Sequence, residues 1–279
     1  MLEATACARR GAVFSLALDI GPDLPEAPGR PAPIHFLTLT GTDVAAAGAG
    51  RPVPSAAFAD DWITMNLSCA TQWDGFTHVF SDGTTYNATP ASAVGARRGA
   101  QRCSVAALRS AVVTRAVLID VAGGAGRPWL EPGEAVTPGD LDEAADRAGV
   151  PVGAGDVVLV RTGAIARVRA EGSWGDYAGL GPQPGLSVTT ASWFADRDVA
   201  AVATDTWGVE VIPYEVTGTS APLHQLLLSR CGITLGEMFD LDALAADCAA
   251  DGVYEMLFVA PPLPITGAVN SPINPIAVK

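Results

Sequence analysis

The sequence predicts a mixed α/β domain in which one sheet is partly covered by helices, and three features carry that reading. Two apolar runs, VVLVRT at 157–162 and VAAVA at 199–203, have the composition of strands buried on both faces. Helices with Pro or acid at the start and Gly at the stop alternate with strands in the second half only. The first 120 residues are instead rich in short strands and loops, which argues against a doubly wound sheet.

Taken in order, the predicted strands are 12–18, 34–40, 62–69, 116–122, 157–162, 199–205 and 254–260. The run WITMNLSC alternates, as a strand with one wet face does. The helices fall at 138–149, with Pro first and acids in the first turn, and at 187–197, with Ser187 as a candidate N-cap. Two more fall at 221–232, opened by Pro222 and stopped by Gly232, and at 239–252, stopped by Gly252. No internal repeat or linker divides residues 1–279, so a single domain is expected.

The 279 residues carry a net charge of −13, spread along the chain, which makes a phosphate backbone an unfavourable partner. No stretch has the roughly 18 apolar residues of a membrane helix, and the first residues lack the pattern of a secretory signal. Five cysteines without paired spacing fit neither a disulfide framework nor a Cys-based zinc site, and point to a reducing, cytoplasmic setting. The segment VAGGAGRPW lacks the layout of a phosphate-binding loop, and no GxSxG elbow is present.

Three histidines remain as candidates for chemistry: His35, His78 and His224. His78 lies in CATQWDGFTHVF, where Gln72 and Asp74 share one face of an extended chain. Gly75 then permits a turn that brings His78 back beside Asp74. That pair suits a metal ligand with an adjacent proton carrier, or equally a buried Asp capping a turn with a bonded His. His224 opens a helix and Glu237 follows after the Gly232 break; together they would suit a divalent ion, or serve as a packing residue and a cap. His35 could line a site or bond a strand neighbour. Trp62, Trp73, Phe76 and Trp207 are candidates for an apolar wall against a ring-containing substrate.

The segment Ser68-Cys-Ala-Thr71-Gln72-Trp-Asp74-Gly-Phe-Thr-His78 resembles the HxGTHxDxPxH signature of the cyclase superfamily, which includes bacterial kynurenine formamidases, isatin hydrolases and polyketide cyclases. Thr71, Asp74 and His78 match; Ser68 and Gln72 replace the two early histidines and Phe76 the proline. The likeness extends in order through VVTRAVLIDVAG, GDVVLVRTG, LHQLLLSRCGITLGEMFDLDAL and the closing GVYEMLFVAPPLPITGAVNSPINPIAVK. It implies a swivelling β/β/α cyclase-like fold, a mixed barrel-like sheet with flanking helices. It implies Asp74, His224 and Glu237 as ligands of one divalent metal ion, Zn or Mn, and His78 as acid/base. Gln72 and Ser68 occupy former ligand positions, where they could still contact metal or orient substrate. The implied activity is metal-dependent hydrolysis of an amide, lactam or lactone in a small cyclic or aromatic molecule. A carbon–carbon bond-forming cyclase is the alternative, and a metal-free, non-catalytic descendant is a third reading. A homodimer or homotetramer is expected.

Overall fold

The computed structural model describes residues 2–27, 29–43, 58–175 and 181–279. Among these, nine strands form one sheet: β1 (Val13–Ser15), β2 (Gln72–Asp74), β3 (Val113–Asp120), β4 (Val157–Arg161), β5 (Ala201–Thr204), β6 (Thr234–Glu237), β7 (Glu255–Val259), β8 (Asn270–Pro272) and β9 (Ile276–Val278). Their order is β1-β9-β7-β3-β4-β5-β6-β2-β8, and the sheet curls into a half-barrel. The four central strands β3, β4, β5 and β6 are parallel, and every pairing outside them is antiparallel.

Alternation along the central strands builds two cores. Val117, Ile119, Val158, Val160, Val202 and Leu235 face one side, under α1 (Pro138–Ala148), α3 (Thr190–Ala195) and the helix at 222–231, while α2 (Ala164–Glu171) packs in a separate cluster with Trp174 and Trp207. Ala116, Leu118, Val157, Leu159, Ala201 and Ala203 face the other, under α4 (Asp242–Asp251), with Trp73, Phe239 and Phe258. A strand covered on both faces has no wet side, which is why these runs read as continuously apolar. The helix ends follow their signals. Thr137 and Asp140 form a capping box before α1, and Gly149, Gly232 and Gly252 end their helices in the left-handed conformation.

Two elements differ from expectation. The runs at 34–40 and 62–69 do not join the sheet: Ile34–Leu39 pairs antiparallel with Asp60–Thr64 in a separate two-stranded ribbon. Ile34, Phe36, Leu37, Trp62 and Ile63 are exposed there, because neither face of the ribbon is covered by the described residues. Ser187 does not cap α3. The helix begins after Thr189, and the Ser187 hydroxyl bonds the Glu215 carboxylate instead. No helix among the described residues is long and apolar enough to cross a membrane.

Candidate metal centre

The centre forms where β2 inserts antiparallel between β6 and β8. Register sets Gln72 opposite Glu237 and Asp74 opposite Asn270. The period of two puts Gln72 and Asp74 on one face and Trp73 on the other. Trp73 packs at a tilt against Phe239 and edge-on against Phe258, and donates its Nε1–H to the Ala260 carbonyl at 2.7 Å. It opposes Gly236, where a Cβ would stand within 2.7 Å of the Trp73 ring and of Ala203. Gly75 is equally confined, with an added Cβ 2.7 Å from the Val269 carbonyl. The chain turns there, His78 N–H donating to the Gly75 carbonyl at 2.9 Å, and His78 returns toward Asp74.

The third side comes from the helix at 222–231, which opens with one α-turn, Pro222–His224, and widens into the π-helical Gln225–Cys231. His224 Nε2 lies 3.4 Å from Glu237 Oε1 and 3.8 Å from Asp74 Oδ2. One ligand atom from each of Asp74, His224 and Glu237 falls within 4.8 Å of the others. Ligands at about 2.1 Å around a tetrahedral ion stand roughly 3.4 Å apart, so the three atoms fit a divalent ion with little movement. Asp74 Oδ2 is buried without a hydrogen-bond partner, the condition of an oxygen prepared for a cation. His78 Nε2 is 4.0 Å from the same oxygen, and its side chain is 29% exposed. His78 thus links the buried centre to the surface without being one of the three convergent residues.

Burial and neighbouring charge shift all three convergent groups. Burial pushes the Asp74 carboxyl above the usual carboxylate range; His78 and His224 oppose that shift and Glu237 adds to it. Burial also works against ionised Glu237, but Arg30 and His224 hold it down at about 2. His224 is disfavoured as a cation by burial, yet hydrogen bonds to Glu210 and Glu237 raise it to about 10.

Three supporting residues lie outside the set singled out from the sequence. Glu210 accepts from His224 Nδ1 at 2.5 Å and from the backbone N–H groups of Leu223 and His224 at 3.0 and 3.1 Å. It caps the helix and fixes the ring so that Nε2 faces the carboxylates. Arg30 Nη1 donates to Glu237 Oε2 at 2.8 Å and to the Ser68 carbonyl at 3.0 Å. It is the one Lys or Arg between Arg10 and Arg51, a signal that could have marked it. Asn270 Nδ2 donates to Ser68 Oγ at 2.5 Å. Glu210 lies in TWGVE, where no local pattern distinguishes it. Glu210→Gln is expected to leave the protein folded and to lower metal affinity about 10–100-fold, checked by calorimetric titration; unchanged affinity would remove Glu210 from the centre.

Several predicted site residues are placed elsewhere. Gln72 donates its amide N–H groups to Glu237 Oε2 at 2.6 Å and Asp74 Oδ1 at 3.3 Å, so its donor end, not its oxygen, faces the carboxylates. Two acceptors in reach demand that orientation. Ser68 is held by Arg30 and Asn270 and bonds no other group of the centre. Trp73 cannot wall a substrate, being enclosed on the opposite face. Trp62 and His35 stand on the exposed ribbon, His35 paired with Asp61 at 3.0 Å. Phe76 is half-buried between Asp74 and His78 against Tyr86, and Trp207 packs in a cluster with Met238, the neighbour of Glu237. A cavity of about 480 Å³ lined by Leu18, Leu24, Ile165, Val168 and Trp174 includes none of Asp74, His78, His224 and Glu237.

The family model described as "Putative cyclase" matches residues 14–211, and the chain belongs to that family. A crystal structure of a novel cyclase is 34% identical, with all of this chain and 92% of that chain covered at a TM-score of 0.89. Isatin hydrolase A from Labrenzia aggregata, bound to benzyl benzoate, is 19% identical over 95% of this chain and 93% of that one, at a TM-score of 0.70. A predicted metal-dependent hydrolase from Bacillus stearothermophilus is 18% identical over 95% and 97%, at 0.58. A search of curated proteins finds no match.

Proposed function

We propose that the protein is a metal-dependent hydrolase acting on an amide, lactam or lactone bond in a small cyclic or aromatic substrate. The observation that carries this is the convergence of Asp74 Oδ2, buried and without a donor, with His224 Nε2 and Glu237 Oε1 beside a partly exposed His78. A divalent metal, Zn or Mn, bound by these three residues supplies Lewis-acid polarisation of a carbonyl and a lowered water pKa. The chain's residues do the rest. Glu210 orients His224, Arg30 and Gln72 orient Glu237, and His78 takes a proton from water and returns it to the leaving group. Phe76 and Trp207 supply apolar surface near the centre.

The solved cyclase at 34% identity favours a second reading, carbon–carbon bond formation with His78 moving the protons. The exposed apolar side chains of the 34–39/60–64 ribbon support a homodimer or homotetramer, and the five free cysteines support a cytoplasmic setting. The test is a time course of metal-loaded protein with an aryl formamide, a lactam, a lactone and a poly-β-ketone, beside elemental analysis. Hydrolysis of one of the first three is expected. Turnover of the poly-β-ketone alone would replace hydrolase by cyclase, and a protein without metal or turnover would refute both.

A further inference from the structure

We propose that Arg30 is a built-in counter-cation that closes the Ser68–Gln72 side of the centre to a second metal ion and so limits the centre to one. The inference rests on Asp74, His224 and Glu237 being the metal ligands. Three buried carboxylates, on Asp74, Glu237 and Glu210, meet at this point in the fold, and unpaired buried charge is costly. Their oxygens divide into two sets. Asp74 Oδ2 and Glu237 Oε1 face His224. Asp74 Oδ1 and Glu237 Oε2 face the other way, where Gln72 bonds both and Arg30 bonds Glu237. A second ion would need that other set, and a guanidinium already neutralises it.

Arg30 suits this task better than a histidine or lysine would. A guanidinium keeps its proton and has no lone pair to offer a metal, so it repels a dication at every accessible pH. Its position is fixed from several directions: Nη1 bridges Glu237 and the Ser68 carbonyl, and its side chain is only 15% exposed. The chain leading to it is fastened twice, by Leu18 N–H to Thr71 Oγ1 at 2.9 Å and by Trp174 Nε1–H to the Pro25 carbonyl at 3.2 Å. Oxygen donors remain on the residues around it. Gln72 Oε1 and Asn270 Oδ1 are buried without hydrogen-bond partners. With Glu237 Oε2 and the Ser68 carbonyl they are the hard oxygen type that divalent ions take once a competing cation is gone.

The test is calorimetric titration of chelator-stripped protein with manganese and with zinc chloride, with thermal unfolding recorded for each variant. Wild type and Arg30→Lys are expected to bind one equivalent. Arg30→Gln, which keeps the bulk and removes the charge, is expected to bind the first ion at least tenfold more tightly. Arg30→Gln with Gln72→His is expected to take a second equivalent. Two equivalents in wild type overturn the proposal, as does one equivalent in the double variant with unchanged or weaker affinity in Arg30→Gln. Should Arg30→Gln fail to fold, Gln72→His alone decides: with Arg30 in place it must still bind one equivalent, and a second there overturns the proposal. Unchanged metal binding in Asp74→Ala is a separate result, removing the ligand assignment and the proposal with it.

Discussion

His78→Ala is expected to keep a full equivalent of metal and an unchanged thermal transition, while turnover falls by roughly 10²–10⁴-fold, the usual contribution of a positioned acid/base. The geometry separates His78 from the ligands. His224 Nε2 lies 3.8 Å from Asp74 Oδ2 and 3.4 Å from Glu237 Oε1, whereas His78 approaches only Asp74, at 4.0 Å, and from the surface side. A group so placed can exchange protons with solvent and with a substrate seated beside the centre. Asp74→Ala and His224→Ala each remove one of the three proposed ligand side chains and are expected to lose the metal outright, together with activity. His224→Ala also strands Glu210, whose carboxylate would stay buried on two backbone N–H groups. Metal content by elemental analysis and turnover, read on the same preparations, check the contrast. Metal loss in His78→Ala as complete as in Asp74→Ala would make His78 a ligand; full turnover would take it out of the mechanism.

What the sequence made legible here was whatever depends on near neighbours. Gln72 and Asp74 share a face by strand parity, Gly75 makes the turn that returns His78, and Pro222 and Gly232 bound the helix bearing His224. The parity that pairs Gln72 with Asp74 also sends Trp73 to the far face. Reading Trp73 as a substrate wall set proximity in sequence above that alternation. Arg30 and Glu237 are 207 residues apart, and no spacing rule spans that distance. Glu210 serves through a bond to a ring 14 residues on, across a loop whose course is set by packing. The ribbon strands misled in another way. Residues 34–39 and 62–64 are strand as their β-forming composition predicts, whereas 65–69 leave the ribbon, and sheet membership depends on a covering surface, which local pattern does not encode.

Metal uptake is expected to release about one proton near neutral pH, and apparent affinity to rise about tenfold per pH unit between pH 6 and pH 8. In the metal-free chain Glu210 and Glu237 hold His224 at about 10 against the cost of its burial, so at neutral pH its Nε2 carries a proton that a metal must displace. The same groups fix how the stripped protein responds to pH. His224 lies above its ordinary 6.5, so the stability it contributes is full below that value and is lost as pH rises through about 10. Glu237 is depressed from 4.5 to about 2, so its contribution is present above the ordinary value and is lost as pH falls through about 2. Stripped protein should therefore melt at falling temperature from about pH 7 to pH 10, while metal-loaded protein, in which the ion replaces the His224 proton, should hold its transition over that window. Calorimetry in two buffers of different protonation enthalpy counts the protons. A count near zero, or equal pH slopes of melting with and without metal, would show that His224 does not exchange its proton for the ion.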